Sequence, residues 1–184
     1  MTTTSQPDQR FYGVDTYVDR MGRFNFRFPT TWQRFDIEGR EGAMYVPDPK
    51  DLDTSLSAWV TELEQHVVAE DLPDLQAGVA EGLAQLADCQ VESAKDDVLS
   101  NLIKFERVIT FREGEAVRKR KFWMLYVDKW LMVLTWQGSS PERYDYWYAM
   151  ANYCFATFQI PNELWFNTDR DLVGYRREHG DRVD

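Results

Sequence analysis

The sequence predicts an α+β fold: a central antiparallel β-sheet with helices on both faces, an α/β/α sandwich. Three observations predict it. Two adjacent segments, "FWMLYV" (residues 122–127) and "WLMVLTW" (residues 130–136), are apolar at odd and even positions alike. A strand apolar on both faces must be covered on both faces. The stretch "GRFNFRFP" puts Phe24, Phe26 and Phe28 at every second position, against Arg23, Asn25 and Arg27. That is the period of a strand with one core face. "SSPERYDYWYAMANYCFATF" then changes the spacing to three and four, as a covering helix requires.

In chain order, residues 1–16 read as a flexible lead. Residues 23–28 read as the first strand, which ends at Pro29 because proline cannot donate to a ladder. Trp32 follows the turn, placed to cover the end of the core. "RFDIEGREGAMYVPDP" reads as two short strands about a turn containing Gly39 and Gly42. Leu52, Leu56, Trp59, Val60, Leu63 and Val67 recur at spacings of three and four, which predicts a helix. Pro73 breaks that run. Leu75, Val79, Leu83 and Leu86 form a second helical set. From residue 101 the period is two, with Ile103, Phe105, Ile109 and Phe111 on one face and Lys104, Glu106 and Thr110 on the other. "REGE" is a turn. Strands 116–127 and 130–137 follow, joined tightly at Asp128 and Lys129. Ser140, Pro141 and Glu142 start the last helix. Its stripe is Tyr144, Trp147, Tyr148, Ala151, Cys154, Phe155 and Phe158, and Pro161 ends it. Residues 17–160 thus read as one domain, and 161–184 as a mixed-charge tail that Leu164, Trp165 and Phe166 strap to the body.

This order of elements resembles the PsbP-like superfamily. The residues that carry the resemblance are the aromatic strand "RFNFRFPTTW" and the closing helix ending "ATFQIP", with an acidic helical insert and a meander between them. That group includes the photosystem PsbP proteins, a Ran-binding nuclear import factor and bacterial relatives, some of them Eag-type chaperones of type VI secretion effectors. The resemblance spans about residues 17–160. It implies the sandwich and a role in protein interaction. Its signatures are core devices, and no binding motif transfers residue by residue. The insert looks long and the tail is additional.

The bulk numbers bound the function. A chain of 184 residues with 43% hydrophobic and 15% aromatic content can fill a single core without a staple. The N-terminus "MTTTSQPDQR" lacks the apolar centre of a secretory signal. No apolar run approaches the ~20 residues that span a bilayer. A cytoplasmic location, away from membranes, is the expectation. Cys89 and Cys154 match no metal-ligand spacing and read as buried free thiols, with a disulfide between them as the alternative. The net charge is −10, and residues 51–88 carry nine acidic residues with no Lys or Arg, leaving the rest near neutral. Nucleic acid is therefore not an expected partner, because phosphate binding needs a basic footprint. The "RKRK" run (residues 118–121) reads as edge protection or as a pairing with the acidic layer.

Catalytic apparatus is sparse. No phosphate-binding or dinucleotide glycine pattern and no nucleophile elbow is present, and no cofactor or metal is expected. His66 stands four residues from both Glu62 and Glu70, a spacing that permits a base pair but reads as a solvated helix surface. His179 lies in the tail. The expectation is a non-catalytic protein-interaction module, an adaptor or secretion chaperone, with a protein partner; a homodimer is compatible with it. Its candidate interface is Tyr146, Met150 and Tyr153, off the main stripe of the last helix, with Glu62, Glu70 and Asp74 of the acidic segment. The alternatives are a binder of a small apolar ligand between sheet and helix, and a hydrolase using paired acids of 51–88.

Overall fold

The computed structural model describes residues 9–99 and 102–167. A hairpin comes first, β1 (Val14–Val18) and β2 (Asn25–Pro29), followed by β3 (Gln33–Asp36), β4 (Glu41–Val46) and β5 (Ser55–Glu62). A 3-10 turn (Ala69–Asp71) leads into α1 (Leu72–Ala84). Four long strands follow: β6 (Ala87–Leu99), β7 (Leu102–Glu113), β8 (Ala116–Val127) and β9 (Trp130–Gly138). Then come α2 (Pro141–Ala156) and α3 (Asn162–Asn167). Strands β3 to β9 form one antiparallel sheet in the order β3-β4-β5-β9-β8-β7-β6.

Pleat decides which side chains meet which layer. Trp123, Leu125 and Val127 of β8, with Met132, Leu134 and Trp136 of β9, face α2 and the β1–β2 hairpin. Tyr144, Trp147, Met150, Ala151, Cys154 and Phe155 of α2 are buried against them. Ring contacts knit this layer: Trp32 stacks on Trp136 at 5.8 Å, Trp123 meets Phe155 edge-on at 5.0 Å and Phe24 stacks on Phe158 at 5.2 Å. Ser140 caps α2 by accepting from the Arg143 amide at 3.3 Å, and Pro141 occupies the first turn, where its amide is not missed. The alternate residues Met124, Tyr126 and Leu131 meet α1 on the opposite face, together with Ile103 and Phe105 of β7. Both faces of the central ribbon carry a helix, as the two-sided apolar pattern predicts. No helix among the described residues is long and apolar enough to cross a membrane.

Three sequence expectations differ from the structure. Residues 52–67 are not a helix: they hold β5, central between β4 and β9. Leu56, Ala58 and Val60 point to the α2 face at strand period, and both ladders satisfy the backbone. The lead expected over 1–16 contains the start of β1, whose Tyr17 packs on Phe24 and Phe26 at 5.7 and 5.2 Å. The sequence reading assigns no element to β6, an almost wholly exposed edge strand held by its ladder to β7 with two register shifts. In the tail, Leu164 packs on the α2 core. The side chains of Trp165 and Phe166, and residues 168–184 with His179, lie outside the described residues.

Candidate functional site

Helix α1 covers only part of its face of the sheet. Leu75, Val79 and Leu83 close over Ile103, Phe105 and Tyr126. Beside that seam the helix presents Gly78 and Gly82, one turn apart. A Cβ built on either glycine meets nothing within 4 Å. Close packing therefore requires neither, although a helix-interior glycine costs about 1 kcal/mol relative to alanine. Their missing side chains leave a groove of about 680 Å³ between helix and sheet, within the size range of small-molecule sites.

Register orders the groove floor. Ser55 of β5, Gln137 of β9 and Arg120 of β8 lie in one cross-strand row. Ser57, Thr135 and Phe122 form the next, and Trp59, Val133 and Met124 the third. Polarity therefore falls along the strands, from a row of hydrogen-bonding groups to a row of apolar ones. Gly42 allows β4 to approach Trp59, since a Cβ there would lie 2.7 Å from the Trp59 Cα and 2.2 Å from the Ala58 carbonyl oxygen.

Among the described residues, the charged ones lining the groove are Arg120 and Arg40, and no Asp or Glu lines it. Arg120 donates from Nε and Nη2 to Gln137 Oε1 at 2.8 and 2.5 Å, with its guanidinium 4.6 Å from the Phe111 ring centre. Burial pulls that guanidinium below its ordinary value, against the opposing field of Glu113. Arg40 lies over the Trp59 ring at 4.2 Å. Among the described residues no carboxylate forms an ion pair with either arginine. The other cations of the "RKRK" run are engaged differently. Arg118 pairs with Asp53 at 2.8 Å and Glu113 at 3.0 Å, Lys119 pairs with Glu92 at 3.2 Å, and Lys121 stands 4.8 Å from the Phe155 ring centre. Strand β8 is interior, so the run protects no edge, whereas the pair between Arg118 and Asp53 is the expected contact with the acidic layer.

The structure does not bring the six expected interface residues together. Met150 is 2% exposed and belongs to the α2 core, so its place in an exposed patch is corrected: the buried arc of α2 is wide enough to take it in beside Trp147 and Cys154. Tyr146 and Tyr153 are half-buried, and the Phe11 ring packs edge-on against Tyr153 at 5.3 Å. Glu62, at the end of β5, accepts from Lys129 Nζ at 2.6 Å, while Glu70 and Asp74 are exposed at the start of α1. The tyrosines thus stand on α2, Glu62 at the end of β5 in register with Trp130, and Glu70 and Asp74 at the entry to α1. His66 meets Asp128 rather than Glu62 or Glu70.

Asp51 is committed to a clamp, accepting from Thr54 Oγ1 at 2.7 Å, Ser139 Oγ at 2.8 Å and Arg143 Nε at 3.0 Å. Burial alone would raise its carboxyl, but those three donors hold it below the usual carboxylate range. Both cysteines are free. Burial pushes the Cys154 thiol up to about 12, which suits a core residue and not a nucleophile. The sequence reading does not group Gly78, Gly82, Trp59, Arg40 and Arg120. The one signal that could join them is the glycine pair at a four-residue spacing inside a helical period, where nothing structural asks for glycine.

No family model matches the sequence, and no curated protein matches it. Solved structures do. Cyanobacterial PsbP (CyanoP) from Synechocystis sp. PCC 6803 superposes with a TM-score of 0.60 at 14% identity, over 88% of this chain and 97% of that one. LpqN of Mycobacterium tuberculosis, described as involved in cell envelope biogenesis, gives 0.58 at 13% identity over 80% and 92%. The Saccharomyces cerevisiae Ran-binding protein Mog1p gives 0.51 at 9% identity over 87% and 98%. At such identities the likeness concerns the backbone path, and on that ground the chain has the PsbP-like fold.

Proposed function

We propose that this chain is a non-catalytic binding module of the adaptor or secretion-chaperone type, and that it holds the apolar part of its partner in the groove beneath α1. One observation carries the reading: the α2 face of the sheet is filled by large side chains, whereas the α1 face stops short, over a floor of Trp59, Phe122, Met124 and Val133. An apolar concavity bounded by polar residues is the usual form of a receptor surface. Binding to Ran by Mog1p, which has the same fold, supports an interaction role. The groove volume also favours a second reading, a small apolar ligand in place of a protein segment.

The test is a filled groove. In Gly78→Leu the new side chain enters open space on a helix that prefers leucine to glycine, so the variant remains folded. Affinity capture from native lysate, quantified by mass spectrometry, should retain a partner on the wild-type chain and lose it on Gly78→Leu. Identical capture by both would place the partner elsewhere and strip the groove of its role.

A further inference from the structure

We propose that the groove takes a long-chain aliphatic carboxylate of the fatty-acid class, its head on Arg120 and its chain along β8 and β9 beneath Gly78 and Gly82. The proposal rests on the second reading above, a small ligand in the groove in place of a protein segment, and adds the chemistry of that ligand. Three observations lead there.

The first is the sign of the lining. The chain has 31 acidic and 21 basic residues, yet the charged residues lining the groove are arginines. Elsewhere the cations of the same strand meet carboxylates, as Arg118 and Lys119 do. Arg120 does not, and its neighbours are a neutral amide and a phenyl ring. Two of its five N–H donors go to Gln137, leaving three for a ligand. A half-buried guanidinium with spare donors and, among the described residues, no carboxylate in ion-pair contact is complementary to a carboxylate, which it can grip through paired N–H bonds.

The second is the polarity gradient. The Arg120 row also supplies Gln137 and the Ser55 hydroxyl, while four residues further along the strands lie Trp59, Val133 and Met124, with Arg40 at the rim over the Trp59 ring. A wholly apolar ligand would leave the polar row unanswered, and a wholly polar one would wet the apolar row. A molecule with one charged end and one long apolar end satisfies both.

The third is length. From Arg120 to Tyr126, both lining the groove, is six residues of β8, about 20 Å at 3.3 Å per residue. That suits an extended long acyl chain. The side chains absent at Gly78 and Gly82 keep the path open along one flank of α1.

The experiment titrates the full chain with cis-parinaric acid and, separately, with its methyl ester, following the polyene fluorescence below the micellar range. The acid is expected to bind about 10- to 100-fold more tightly than the ester, the span of one charge-assisted contact. Arg120→Gln should abolish that preference, Arg120→Lys should retain most of it, and Gly78→Leu should weaken both probes. Equal affinity for acid and ester, both weakened by Gly78→Leu, overturns the anionic head and leaves the groove as receptor. Binding that Gly78→Leu does not weaken overturns the groove itself, and no saturable binding of either probe overturns the proposed ligand class.

Discussion

Glycine serves opposite ends at different positions of this chain. At Gly138, where β9 gives way to α2, a Cβ would sit 2.4 Å from the Tyr144 amide nitrogen and 2.5 Å from the Ser140 carbonyl oxygen. Backbone atoms cannot yield as a flexible side chain does. Gly138→Ala should therefore cost about 1–3 kcal/mol in urea denaturation, whereas Gly78→Ala should stabilise by about 0.5–1 kcal/mol, since it removes a helix-interior glycine without a clash. A second residue-scale device is the buried pair of Asp19 and Arg23. Their side chains are 0% and 6% exposed, joined at 2.7 Å, with Glu41 also on Arg23 at 2.6 Å. Burial alone would raise the Asp19 carboxyl, but hydrogen bonds and charge from Arg23 outweigh it and hold it below the ordinary range. A carboxyl depressed in the folded state stabilises above its ordinary value, and that contribution is lost as pH falls towards the folded one. Native stability should decline below about pH 4. Asp19→Asn should cost about 3–5 kcal/mol at neutral pH by leaving Arg23 without its inner partner, and its acid dependence should be shallower.

Among the elements, periodicity is a good guide where one period is possible and a poor one where two are. The closing helix is legible because Tyr144, Trp147, Ala151 and Phe155 fit no strand, and Ser140 and Pro141 mark its start. The strands around Trp123 and Leu134 are legible because both faces are apolar and the Asp128 and Lys129 turn divides them. Leu56 and Val60 are four apart, which places them on one face of a helix and equally on one face of a strand. The helical reading rests on adding Trp59, Leu63 and Val67, which stand three and four residues from their neighbours in the set. The structure decides through pairing, since β5 bonds β4 on one side and β9 on the other. A helix would bury Leu52 and Leu56 together, but Leu56 is 0% and Leu52 55% exposed. Leu56→Ala should thus cost about 2–5 kcal/mol, and Leu52→Ala should stay within about 0.5 kcal/mol, read from the same denaturation curves. Strand β6 is illegible for a different reason. Val91, Val98 and Leu99 are exposed, so no core face imprints a pattern on it. Its order comes from the backbone ladder to β7, which leaves no mark on side-chain choice.

Over the molecule as a whole, the two faces of one sheet are covered to different extents. The α2 face carries Trp136, Trp147, Phe24 and Phe26 at 2% exposure or less, and it holds the fold. The α1 face is closed at one end by Leu75, Val79 and Leu83 and open at the other. The requirement that both faces be covered can be read from the sequence. How completely they are covered cannot, because that depends on where α1 crosses the strands and on which flank Gly78 and Gly82 fall. The acidic segment follows the same rule. Its charge is plain from composition, while its division between committed groups such as Asp51 and exposed ones such as Asp74 follows from the loop paths. Occupancy of the open end can be watched through the tryptophan indole N–H signals of the isotope-labelled chain as palmitate is added. A progressive, saturable shift of the Trp59 signal is expected, with those of Trp136 and Trp147 unmoved. Shifts at Trp136 and Trp147 with Trp59 unmoved would put binding on the α2 face and contradict the division of labour between the two faces.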